Sequence, residues 1–146
     1  MTLFKIWALS LLLVGIPYRL LAEEGEDLSK IAGQFERHFQ DASGAKFRAV
    51  KEVVGDRSTV TTYDGDGNVV EGHASNIVVE QRGPVKVLSF SNLVVIAGPN
   101  KGLSTAGRRS YIYRLEDDTF TEAWGLLEED DSPPRMFTWR RIKQVR

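Results

Sequence analysis

From Gly44 onward the sequence is punctuated at a regular pace. Short runs rich in β-branched and aromatic residues recur every 8 to 14 residues, with turn-forming residues between them. Such runs read as strands. Here they fall near Lys46–Val54, Ser58–Tyr63, Asn68–Glu71, Ser75–Gln81, Val85–Ser89, Leu93–Ala97, Ser110–Leu115, Thr119–Leu126 and Met136–Lys143. Asp64-Gly65-Asp66-Gly67-Asn68 supplies the positive φ angles that a tight hairpin needs. Arg82-Gly83-Pro84 and Glu116-Asp117-Asp118 mark two further reversals, and Gly98 to Arg109 is the longest irregular stretch, a candidate lid. Strands in sequence with short links cannot stay an open sheet without exposing unpaired backbone at its edges. Closure into a barrel removes those edges. The expected fold is mainly β: an up-and-down antiparallel barrel of eight or nine strands over residues 44–146, preceded by one N-terminal helix.

That helix is expected within residues 23–43, from about Asp27 to Gln40. Leu28, Ile31, Phe35 and Phe39 recur at steps of three and four, while Lys30, Glu36 and Arg37 fall elsewhere. Asp27 is a suitable N-cap and Ser43-Gly44 a suitable stop. Gly33 weakens such a helix by about 1 kcal/mol, so its apolar stripe needs a surface to pack on, and one end of the barrel offers it.

Residues 1–22 have the three parts of a secretory leader: Lys5, an apolar run of 11 residues from Ile6 to Ile16, and Leu20-Leu21-Ala22 ahead of acidic residues. The run falls short of the roughly 20 apolar residues that cross a bilayer. The expectation is cleavage after Ala22, a periplasmic or secreted product, and no integral membrane span afterwards. Removing 22 of 146 residues leaves 124, enough for one domain that folds without staples. The chain has 19 basic and 20 acidic residues. Lys5 and Arg19 leave with the leader, so the mature part has 17 basic against 20 acidic, a net of −3. That balance argues against nucleic acid as a partner, which calls for a basic surface. No cysteine is present, which excludes thiol chemistry and cysteine-bound zinc.

Three segments carry a resemblance. FRAVKEV with TVTTYDGDGNVVEGH, then SYIYRLEDDTFTEAWGLL, then PPRMFTWRRIK, resemble the hairpins and closing strand of small exported bacterial lipocalin-like domains of the calycin class. The resemblance covers about 100 of the 146 residues, from Gly44 to Lys143. It implies a barrel that holds a small apolar molecule. Lipocalins carry Gly-x-Trp on the first strand, with an arginine of the last strand stacked on that Trp. This chain reads Gly44-Ala45-Lys46-Phe47 there, so the resemblance assigns Phe47 the aromatic role, with Arg140 or Arg141 as its partner.

The remaining motifs are weak as chemistry. Glu71, His73 and Ser75 alternate and share a strand face, but no oxyanion-hole motif or nucleophile elbow accompanies them. His38 and His73 lack zinc-site spacing. Asp64, Asp66 and Asn68 begin like a calcium loop, but position six is Val69 and position twelve is Ser75, so the turn explains them better. Glu128-Glu129-Asp130-Asp131 reads as a solvated acidic loop. Lys101, Arg108 and Arg109 lack a phosphate-cradling glycine pattern, so no cofactor is implied. The aromatic residues form the wall or the filling of the barrel. The reading is a non-enzymatic exported barrel that binds a small, partly apolar molecule in its interior, with Tyr113, Trp124, Trp139, Phe47 and Arg141 as ligand-binding residues and neither catalytic nor metal-binding residues. The alternative is an envelope structural or protein-interaction module with a filled core.

Overall fold

The computed structural model describes residues 27–127 and 133–143. Residues 1–22, where a leader is expected, and the acidic run at 128–131 lie outside the described residues. A short helical turn at residues 27–31 leads into nine strands: β1 (Gly33–Gln40), β2 (Lys46–Val54), β3 (Arg57–Tyr63), β4 (Val69–Arg82), β5 (Val85–Ala97), β6 (Ser104–Thr105), β7 (Arg109–Glu116), β8 (Thr119–Trp124) and β9 (Arg135–Arg141). The pairing order is β4-β3-β2-β1-β9-β8-β7-β5-β6, and β4 also pairs with β5. Eight of these strands therefore close a ring, every pair antiparallel, and β6 is a two-residue flap on the outer part of β5. The barrel expected from the sequence is present, with one short helix at its N-terminal side.

The helix is shorter than expected. It ends at Ile31, and residues 33–40 are strand β1, part of the barrel rather than a cap on it. Phe35 and Phe39 are four apart, a spacing that keeps two side chains on one face of a helix and of a strand alike. Gly33, at φ +117°, breaks the helix, and its missing Cβ would lie 2.9 Å from Arg141 Nη1. Once β1 is extended, Phe35, Arg37 and Phe39 share one face. The strand then inserts between β2 and β9 and closes the sheet.

The central strands follow the expected periodicity. Two pairs of expected runs merge: residues 69–82 and 85–97 are each one long strand, interrupted by register shifts at Gly72/His73 and Ala74/Asn76 and by Asn92 at φ +51°. In the 64–68 turn, Asp64 Oδ1 accepts from the backbone N–H groups of Asp66 and Asn68 at 3.0 and 2.8 Å, so its carboxylate is engaged as a turn residue.

The helical turn plugs one end of the barrel. Ile31 is 1% exposed, and Leu28 packs on the core beside it. Arg141 ties the turn down: its guanidinium donates to the carbonyls of Ala32 (2.6 Å) and Lys30 (2.7 Å) and lies 4.4 Å over the Phe35 ring. These bonds satisfy carbonyls that a short helix leaves without partners. Among the described residues no helix is long and apolar enough to cross a membrane.

Candidate ligand-binding sites

The barrel axis is occupied. Phe35 meets Phe120 with ring centroids 5.5 Å apart, Tyr113 meets Phe120 at 5.4 Å, and Trp124 stacks on Tyr111 at 4.6 Å with Phe90 against it at 5.3 Å. One cavity among these rings, bordered by Ser58, His73, Ser75, Phe90, Tyr111 and Trp124, measures about 30 Å³. That holds a water molecule or two, not an organic guest. Two larger recesses lie at the plugged end rather than along the axis.

Two opposite charges sit among those rings. Lys51 (β2) is 5% exposed and Glu122 (β8) 1%. Lys51 Nζ donates to Glu122 Oε1 and, at 3.4 Å, to the Tyr111 hydroxyl. Trp124 Nε1–H donates to Glu122 Oε2 at 3.1 Å. The ammonium also lies 4.7 Å from the centroid of Trp139 and 5.2 Å from that of Phe120. Burial first, and the nearby Arg37 charge second, press the Lys51 ammonium well below its ordinary pKa. The touching carboxylate is the charge that keeps a proton there. Strand alternation is the signal for both residues. Lys51 shares a face with Phe47, Ala49 and Val53, and Glu122 with Phe120 and Trp124.

At the plugged end a recess of about 430 Å³ opens between the helical turn and strands β5 and β7. Ile31, Val85, Ile112 and Leu115 give it apolar walls. At its rim Lys86 Nζ meets Asp27 Oδ1 at 2.5 Å. Tyr113 lines it too, and the Tyr113 hydroxyl is buried with no hydrogen-bond partner among the described residues. Burial, reinforced by the Asp27 carboxylate, raises the pKa of that phenol and keeps it protonated, a donor without an acceptor. Arg141 borders a second recess of about 440 Å³, on the β2–β3 side of the same end.

The opposite end is a mouth of rings. Phe47 stacks on Phe39 at 5.5 Å, and Trp124 meets Phe137 edge-on at 6.3 Å. Arg37 (β1) lies among them, its guanidinium carbon 4.3, 4.6 and 5.0 Å from the centroids of Phe137, Phe39 and Trp139. Of the residues expected to bind a ligand, Phe47, Trp124 and Trp139 thus come together at this mouth, while Tyr113 and Arg141 sit at the plugged end. Phe47 is not the partner of Arg141; Phe35 is, because β1 rather than β2 pairs with β9. His73 and Ser75 share the small axial cavity, and Glu71 of the same strand is exposed. Burial lowers the His73 pKa, opposed by Glu71 and assisted by Lys51.

Fold and sites together define a closed eight-stranded antiparallel β-barrel with a packed, internally charged axis and a recess at each side of its plug. No family model matches the chain, and no curated protein and no solved structure is detectably similar to it.

Proposed function

We propose that this is an exported, non-enzymatic barrel of the lipocalin-like, calycin type that binds a small, partly apolar molecule in the recess at its plugged end. The observation that carries this reading is the recess itself. Its volume, about 430 Å³, falls in the range of small-molecule sites, and its lining includes Tyr113, whose hydroxyl is buried without a hydrogen-bond partner among the described residues. The calycin assignment is supported by Gly33-Gln34-Phe35 on the first strand with Arg141 of the last strand over the Phe35 ring. On this reading Phe35 stands where a lipocalin has Trp. Export rests on the leader of residues 1–22.

The test is a titration of the mature protein with Nile red, a neutral probe carrying a carbonyl acceptor. One-to-one saturable fluorescence is expected. Ile112→Arg, which places a charge in the wall, should weaken it at least about tenfold. Tyr113→Phe should weaken it a fewfold while leaving stability unchanged or raised, because the hydroxyl it removes is unpaired. Binding that does not saturate, or that ignores Ile112→Arg, would sink the proposal. The second reading, an envelope structural or interaction module, draws on the packed axis. Pull-down of a specific protein from the exported fraction, with no Nile red binding, would favour it.

A further inference from the structure

The small cavity on the barrel axis has a polar lining. Ser58 (β3) and Ser75 (β4) lie opposite each other in the ladder, are 8% and 5% exposed, and both border it. Neither hydroxyl has a hydrogen-bond partner among the described residues. Tyr111 (β7) borders the cavity as well. Its oxygen accepts from Lys51 Nζ at 3.4 Å, and its own O–H has no acceptor among the described residues. The half-buried His73 (β4) completes the polar lining. Buried hydroxyls without partners are costly. Apolar cavities stay dry, but a polar one of more than about 10–15 Å³ takes a water that bonds two to four groups. This cavity measures about 30 Å³, and Ser58, Ser75, His73 and Tyr111 surround it.

We infer that this cavity is a water-binding site, and that its water is a proton path between solvent and the buried Lys51–Glu122 pair. The water accepts from the Tyr111 hydroxyl and bridges the two serines and the His73 ring. Lys51 Nζ–H passes its proton to the Tyr111 oxygen as the phenolic proton passes to the water. The water passes a proton on to His73, and the imidazolium so formed releases it to solvent. Phenol, water and imidazole are all restored, and the amine is left neutral beside Glu122. The reverse sequence returns the ammonium, and only O–H and N–H bonds change throughout. The charged pair that holds the axis thus exchanges protons with its surroundings while the barrel stays closed. The path does not depend on the plugged recess.

Two measurements on the unsubstituted mature protein test this. A high-resolution crystal structure should show ordered water within hydrogen-bond reach of the Ser58 and Ser75 hydroxyls. NMR of the Lys51 ammonium, assigned with Lys51→Met, should show its protons exchanging with solvent at least about tenfold faster than the barrel opening that limits the slowest backbone amides. Tyr111→Phe removes the phenolic link, and Ser75→Val fills the cavity with methyl groups. Each should slow the exchange at least about tenfold. A variant that only loosens the barrel moves the rate the other way, so slowing reports the path and not stability. A cavity without ordered water, Lys51 exchange no faster than barrel opening, or a rate that neither variant slows would each overturn the inference. The crystal structure and the rate comparison on unsubstituted protein stand even if both variants fail to fold.

Discussion

Removing the carboxylate from the buried pair gives a sharp test of how the barrel axis is held. In Glu122→Gln the Lys51 amine keeps its place, 5% exposed, with no counter-charge in contact. It must either stay charged in the interior or give up its proton. Giving up the proton sets the ceiling. At about pH 7.5, three units below the 10.5 of a free lysine, holding the amine neutral costs at most about 4 kcal/mol, part of which the parent already bears because its own Lys51 is pressed down to about 7. That agrees with the roughly 3–5 kcal/mol expected for breaking a buried pair from one side and is a large share of the roughly 5–15 kcal/mol that stabilises a domain. The sign follows from linkage. The folded variant binds fewer protons at Lys51 than the unfolded chain, so its stability rises with pH up to the unfolded value and falls as pH drops. The deficit against the parent protein should be smaller at about pH 9.5 than at about pH 7.5, because close to the unfolded value neither protein gives up much stability to neutralise the amine. Lys51→Met/Glu122→Gln removes both charges and leaves Trp124 an amide oxygen to donate to. It should therefore lose no more than about 2 kcal/mol, at least about 2 kcal/mol less than Glu122→Gln alone. Urea unfolding followed by tryptophan emission measures all of these. A Glu122→Gln deficit below about 1 kcal/mol, or one that stays constant between the two pH values, would refute the reasoning.

Two further outcomes follow from single residues. Gly33→Ala should cost about 2 kcal/mol more than Gly44→Ala. Both glycines have positive φ, but at Gly33 the new Cβ also meets Arg141 Nη1 at 2.9 Å, while at Gly44 it meets nothing within 4 Å. Thermal melts should separate the two variants by roughly 8 °C or more. His73, whose folded pKa is depressed chiefly by burial, contributes stability that is complete above its unfolded value of about 6.5 and lost as pH falls through and below it. His73→Gln should flatten the decline in urea midpoint between pH 7 and pH 5; an unchanged slope would remove His73 as a contributor.

The barrel was legible because its signals are local. β2, β3, β7 and β9 are found within two residues of where alternation and turn chemistry put them. β1 was not, because Phe35 and Phe39 satisfy two periods at once. What decides between them is Gly33 beside Arg141, a contact across 108 positions. The small internal volume was equally out of reach: the same aromatic residues line a hollow or fill one, and their ring-to-ring distances exist only once eight strands fix the circumference. Arg37 was hidden by the same error as β1. On a helix it belonged to the polar side; on a strand it shares the face of Phe35 and Phe39.

The ring is fastened unevenly. β1 matches β2 over eight residue pairs but β9 over two, Phe35 with Arg141 and Glu36 with Arg140. That short seam joins the first strand to the last, so it can zip only after nearly every other strand has found its neighbour. Removing β1 would leave the other strands paired yet convert a cylinder into a curled sheet. The bared flanks of β2 and β9 would then be free to recruit strands from other molecules.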